Sequence, residues 1–261
     1  MNTNYIKLGD CYKLLKEIPN NSIDLIVTDP PYEFQQGGAG GTFGSKNRNY
    51  HKEYISLYHE EDKNNDLKFI SKGFDLSLLD EFCRVLKKIN IYIWCSKSQL
   101  GKIINYFEEK NCSIDLLTWH KTNPTPTCNN TYLSDTEYCI FAREKGVKLY
   151  GTYHTKKKYY ITPINKNDKK LYNHPTIKPL EIIQNLIINS SNEGDIVLDP
   201  FLGSGTTAVA SKMLNRQYIG FEINKDYFEI AQKRIDDTLN ITNEDKLNYQ
   251  TTLFDLIKKE D

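Results

Sequence analysis

The chain has 261 residues, 39% hydrophobic and 26% charged, the balance of an ordinary globular protein long enough to bury a sizeable core. Its 34 basic residues offset its 34 acidic ones, so a nucleic-acid surface can be argued only from local clustering and not from the global charge. No run approaches the about 18 apolar residues of a membrane span, and Met1-Asn2-Thr3-Asn4 lacks the basic stretch and apolar core of a signal peptide.

In chain order the first elements are a strand at Tyr5–Leu8, a helix at Cys11–Ile18 and an apolar strand at Ile23–Thr28. The segment from Gln35 to Lys72 is polar, glycine-rich near its start and too long for a simple connection, which predicts a mobile lid. Helix Leu76–Lys87, strand Ile89–Cys95, helix Lys97–Glu109 and strands Ile114–Trp119 and Tyr138–Ala142 follow. From Lys145 to Lys178 nine lysines stand against the single acid Asp168, with tyrosines interleaved. Lysine neutralises phosphate and tyrosine stacks on bases, so this stretch reads as a nucleic-acid surface centred on Lys156, Lys157, Lys158, Tyr159 and Tyr160, although a solvated basic face has the same composition. Helix Leu180–Ser190, strand Ile196–Leu198, helix Thr206–Leu214, strand Tyr218–Phe221 and helix Lys225–Leu239 complete the chain. The alternation predicts an α/β fold: one doubly wound domain over residues 1–261 with a seven-stranded, mostly parallel sheet. The six cysteines (Cys11, Cys83, Cys95, Cys112, Cys128 and Cys139) have no metal-ligand spacing, so no metal is expected and buried reduced thiols in a cytoplasmic protein are.

Two strand ends carry chemistry. Asp29-Pro30-Pro31-Tyr32 leaves the carboxyl end of the Ile23–Thr28 strand, the usual place for a site in an open α/β sheet. A carboxylate, stiff prolines and an aromatic there make an acceptor-lined pocket with a flat wall, suited to a planar base bearing an amino group; a plain strand-ending turn has the same signature. Further on, Asp199-Pro200-Phe201-Leu202-Gly203-Ser204-Gly205-Thr206-Thr207 reads as strand end, glycine turn and helix start. A dinucleotide site shares that glycine spacing, and Glu222 after the next strand suits a ribose diol in either case. The spacing therefore points to a nucleoside cofactor without naming it.

The chain resembles the DNA amino-methyltransferases that act on adenine N6 or cytosine N4 with S-adenosylmethionine. The likeness rests on the DPPY tetrapeptide, the DPFLGSGTT loop, Glu222 and His174-Pro175-Thr176-Ile177-Lys178-Pro179. Because the tetrapeptide precedes the glycine loop, the order resembles the family's circularly permuted beta class. Leu8-Gly9-Asp10-Cys11, Trp119–Pro124 and Glu137–Ala142 resemble further family segments. The resemblance implies Asp29, Pro30, Pro31 and Tyr32 as catalytic. It implies cofactor contacts from Asp10, Cys11, Asp29, Thr176, Lys178, Asp199, Phe201, Gly203, Ser204, Gly205, Thr206, Thr207 and Glu222, with Thr176 and Lys178 at the cofactor carboxylate. Target recognition falls in about 145–172. It further implies double-stranded DNA as partner, base flipping, and room for a homodimer or a cognate restriction endonuclease. Asp at the first tetrapeptide position is typical of adenine N6 and Ser of cytosine N4, so adenine-N6 transfer is expected and cytosine-N4 transfer is the alternative. A non-catalytic DNA-binding module and a nicotinamide-dependent oxidoreductase are more remote.

Overall fold

The computed structural model describes residues 1–32, 73–124, 132–164 and 177–238. The expected lid over 35–72, Thr176, His174 and the lysines and tyrosine of 166–172 lie outside these residues.

Eight strands, one more than expected, form a single sheet among the described residues: β1 (Tyr5–Leu8), β2 (Leu25–Thr28), β3 (Asn90–Cys95), β4 (Ser113–Lys121), β5 (Thr136–Arg143), β6 (Tyr159–Thr162), β7 (Ile196–Asp199) and β8 (Gln217–Glu222). The order is β1-β8-β7-β2-β3-β5-β4-β6. The first five run parallel, β5 is antiparallel to both β3 and β4, and β6 is parallel to β4. The strand that sequence reading missed is β6. Its residues Tyr-Tyr-Ile-Thr put an aromatic on each face and blur the alternation that marks a half-buried strand.

Helices α1 (Cys11–Leu14), α2 (Leu78–Val85) and α3 (Leu100–Glu109) cover one face; α4 (Leu180–Ser190) and α5 (Thr206–Met213) cover the other, and α6 (Lys225–Asp237) lies beside α5. Central strands are thus apolar on both sides, as parallel sheets require. In β2 and β3, Ile26, Ile91 and Ile93 meet Leu79, Phe82 and Phe107, whereas Leu25, Val27, Tyr92 and Trp94 meet Ile182, Leu186 and Ala210.

Helix starts follow local chemistry. Asp10 caps α1 by accepting from Tyr12 N, and Asn224 caps α6 by accepting from Asp226 N and Tyr227 N. The first helix tightens into a 3-10 turn at Leu15–Glu17. α3 starts at Leu100, three residues later than expected, because Gln99 Oε1 accepts from both the amide and the hydroxyl of Ser96 and holds 96–99 as a turn.

Candidate active site

Because β1, β8, β7, β2 and β3 are parallel, their carboxyl ends meet along one edge of the sheet. That edge presents Asp10 after β1, Glu222 ending β8, Asp199 ending β7 and Asp29 after β2. Antiparallel β5 brings its amino end, with Glu137, to the same edge, and β4 brings its carboxyl end, with Lys121. A row of acceptors therefore runs into a paired cluster of charge.

Asp29 ends that cluster, on Lys178. Its Oδ2 accepts from Lys178 Nζ at 2.5 Å, while Oδ1 is buried with no hydrogen-bond partner among the described residues. Lys178 Nζ also contacts Glu137 Oε2 at 3.0 Å and donates to the Tyr32 hydroxyl at 3.3 Å. That hydroxyl donates to Glu137 Oε2 at 3.2 Å, and Lys121 Nζ sits 2.6 Å from Glu137 Oε1. Burial works against charge on Glu137, yet Lys178 and Lys121 outweigh it and hold its pKa at about 2. Burial likewise disfavours the Lys178 ammonium, but Asp29 and Glu137 outweigh it and raise its pKa. Both groups stay ionised. From the next strand end, Gln99 Nε2 donates to the Pro31 carbonyl at 3.2 Å and stiffens the tetrapeptide from behind.

One strand over, Asp199 Oδ1 accepts from Thr28 Oγ1 at 3.0 Å and from Phe201 N at 3.1 Å, tying the ends of β2 and β7 together. Burial raises its pKa to about 6 against those hydrogen bonds. Glu222 accepts from Gly203 N at 2.8 Å and Asn224 N at 2.7 Å; burial still raises it to about 7. Gly205 has φ +84°, and a Cβ there would lie 2.9 Å from Ala231 Cβ, so only glycine lets the turn lie against α6. Ser204, Thr206 and Thr207 are buried. The Arg234 guanidinium fastens the turn: its Nη1 donates to Ser204 O at 2.7 Å, Ser204 Oγ at 2.9 Å and Thr206 Oγ1 at 3.1 Å. Phe201 is half-buried beside the turn, and Cys11 opens α1 with its thiol buried and its pKa pushed up by burial.

The structure thus brings Asp29 to Tyr32 next to the glycine turn and aligns Asp10, Asp199 and Glu222. It places the Lys178 ammonium on Asp29 and Glu137, whereas the resemblance implied a cofactor carboxylate for it. Sequence reading gave no role to Glu137, Lys121, Gln99 or Arg234. The one signal for the first two was a lysine just after one strand run and an acid just before the next, which the antiparallel register makes diagonal neighbours.

The basic stretch divides. Lys156, Lys157 and Tyr159 are exposed, and Lys158, also exposed, pairs with Asp115. Tyr160 corrects the expectation of a stacking surface: it turns inward against the α4-side core, and its hydroxyl accepts from Asn185 Nδ2 at 3.3 Å. Asn189 and Asn185 of α4 both donate to Thr155 O and anchor the stretch.

Known proteins resemble the chain in sequence and in fold. A type II methyltransferase of Lactococcus lactis subsp. cremoris, M2.LlaDCHI, is 32% identical over 87% of each chain. M.HpaI of Haemophilus parainfluenzae is 34% identical over 89% of this chain and 74% of its own. The solved structure of an M1.HpyAVI–SAM complex superposes with a TM-score of 0.61 at 28% identity, covering 88% of this chain and 98% of that one. The cytosine-N4-specific PvuII DNA methyltransferase shares the fold, with a TM-score of 0.65 at 18% identity over 100% of this chain and 94% of its own. The DNA methylase model for N6 and N4 methyltransferases matches residues 23–233, and the chain belongs to that family.

Proposed function

We propose that the protein transfers the methyl group of S-adenosylmethionine to adenine N6 in double-stranded DNA. The carrying observation is Asp29, with one oxygen clamped and the other buried and unpartnered among the described residues, one strand from a glycine turn flanked by acids.

The residues along the edge fit that cofactor. Glu222 suits a ribose diol, Asp10 an adenine amino group and Asp199 an ammonium, and Gly203 and Gly205 let the backbone come close. A relative named a type II methyltransferase and a neighbour solved as a SAM complex support the reading. When bound, S-adenosylmethionine supplies an electrophilic methyl on a sulfonium.

The adenine amino nitrogen is a poor nucleophile because its lone pair is delocalised into the ring. Asp29 Oδ1 and the Pro30 carbonyl accept its two N–H bonds and draw the nitrogen toward tetrahedral geometry. Acceptors that act most strongly as positive charge grows on nitrogen lower the barrier selectively. Asp29 need not be a strong base, since the methylated amine is a strong acid. A base inside a duplex cannot reach this edge and must be flipped out; Tyr32 then offers its ring as the stacking wall.

Sequencing that detects modified bases, run on DNA from a methylation-deficient host expressing the protein, tests the reading. N6-methyladenine at one recurrent sequence is the expected result. N4-methylcytosine, or no modification, contradicts it.

A further inference from the structure

Asp29 could present either oxygen to an incoming amine, since a carboxylate rotates freely about its side-chain bonds. In this structure it does not. Lys178, from the turn before α4, fixes Oδ2. Lys178 is in turn held by Glu137, and Glu137 by Lys121. Lys121, Glu137, Lys178 and Asp29 form a row alternating in sign, with no net charge. The rings of Trp94 and Tyr32 lie 5.0 and 5.5 Å from the Lys178 ammonium and complete its enclosure.

We propose that Glu137 and Lys178 are positioning residues for methyl transfer, clamping Oδ2 of Asp29 and the hydroxyl of Tyr32 so that Oδ1 and the Tyr32 ring are set for the target base. The proposal rests on the reading of Asp29 as the amine acceptor. A catalytic acceptor must be held within about 0.5 Å of its productive place, and a clamp assembled before the base arrives meets that demand in advance. Lys178 alone would not suffice. An ammonium on Asp29 repels the positive charge that grows on the attacked nitrogen, and Glu137 draws part of that field away. Glu137 therefore lets Lys178 orient Asp29 without cancelling it.

The titratable groups whose charge bears on Asp29 are Lys178, Glu137 and Cys139 of β5, Tyr32 of its own turn, Cys95 of β3 and Asp199 of β7. Burial raises the pKa of Asp29, and Lys178 is the main opposing influence. Burial also raises both thiols, so they add no charge near neutrality. Removing the ammonium should therefore make Asp29 easier to protonate.

The test follows labelled methyl transfer to unmodified genomic DNA by the full chain and its Glu137→Gln, Lys178→Met, Lys178→Arg and Asp29→Ala variants. Glu137→Gln, nearly isosteric, should lower kcat about a hundredfold with the KM for S-adenosylmethionine kept within about threefold. Lys178→Met should move the acid limb of kcat against pH upward, and Lys178→Arg should restore it. If Asp29→Ala is inactive while Glu137→Gln keeps its kcat and Lys178→Met keeps the acid limb, the clamp is wrong and the acceptor stands. A raised cofactor KM with unchanged kcat in Glu137→Gln also overturns the clamp. Activity in Asp29→Ala overturns the acceptor reading beneath it.

Discussion

The two flanks of the sheet differ in strand direction and in what they present. The parallel flank, β1-β8-β7-β2-β3, lines its carboxyl edge with Asp10, Glu222, Asp199 and Asp29. The mixed flank, β5-β4-β6, adds Lys121 and Glu137 at that edge and carries the lysines that precede β6. One flank is built of acceptors, matched to a cofactor that is cationic at sulfur and at its ammonium. The other carries the exposed lysines Lys156, Lys157 and Lys158, which we propose meet phosphate. Zero net charge therefore says nothing about either edge: what matters is where the acids and lysines cluster locally.

The sharpest break between the flanks comes at Asp29, where they meet. Asp29→Ala should lower methyl transfer by about a thousandfold, the upper range for losing one preorganised transition-state group. Equilibrium cofactor binding should change by no more than about tenfold, because the other acceptors lie on β1, β7 and β8. Single-turnover transfer beside calorimetric binding checks both; a lost cofactor affinity would put Asp29 on the cofactor side of the divide.

Tyr32 comes next. Stacking on an aromatic is worth about 1–3 kcal/mol, or roughly 5- to 150-fold in rate if it is expressed in the transition state. Tyr32→Ala should lose that amount. Tyr32→Phe and Tyr32→Trp should fall between wild type and Tyr32→Ala, since each keeps a ring but loses the hydroxyl that bonds Glu137 and Lys178. Equal losses in Phe and Ala variants would make the hydroxyl, rather than the ring, the functional part.

The acidic flank can be probed by pH. Burial lifts Glu222 to about 7 and Asp199 to about 6 in the folded protein, above their unfolded values. Between those values the folded state holds more protons than the unfolded one, so these groups favour the ligand-free fold at low pH and lose that contribution as pH rises through about 6–7. Cofactor binding needs the anions and should run the other way, weakening by up to about tenfold per pH unit below the Glu222 pKa. Affinity titrations from about pH 5.5 to about pH 8.5, spanning both titrations, with wild type and Glu222→Gln separate the two trends; a flat wild-type profile would remove Glu222 from the ribose.

The smallest effect belongs to the basic flank. Neutralising Lys156 and Lys157 should lower the slope of log DNA affinity against log salt by about 0.9 for each phosphate these lysines engage. Lys158 should add less, because it already pairs with Asp115. The melting temperature should hardly move, as exposed charges contribute little to folding. An unchanged slope would leave these lysines facing solvent only.

The two flanks were also unequally legible in the sequence. Parallel strands buried on both faces read as unbroken apolar runs, and each residue proposed for catalysis or cofactor binding follows its run within a few positions, so the strand-end places of Asp29, Asp199 and Glu222 could be read from the order of residues alone. The mixed flank yielded less. Tyr160 and Tyr159 are neighbours in sequence yet face opposite sides of β6, which composition cannot reveal. Glu137 and Lys121 matter through a hairpin register and a lysine far along the chain, and neither is a local signal. The same holds for Arg234, whose guanidinium reaches from α6 back to the glycine turn.

The most direct measurement incubates the purified protein with methyl-labelled S-adenosylmethionine and unmodified DNA, digests the product and identifies the labelled nucleoside. The expected label is N6-methyladenine for the wild-type chain and nothing above background for Asp29→Ala. Label in N4-methylcytosine, or equal labelling by Asp29→Ala, would contradict the assignment.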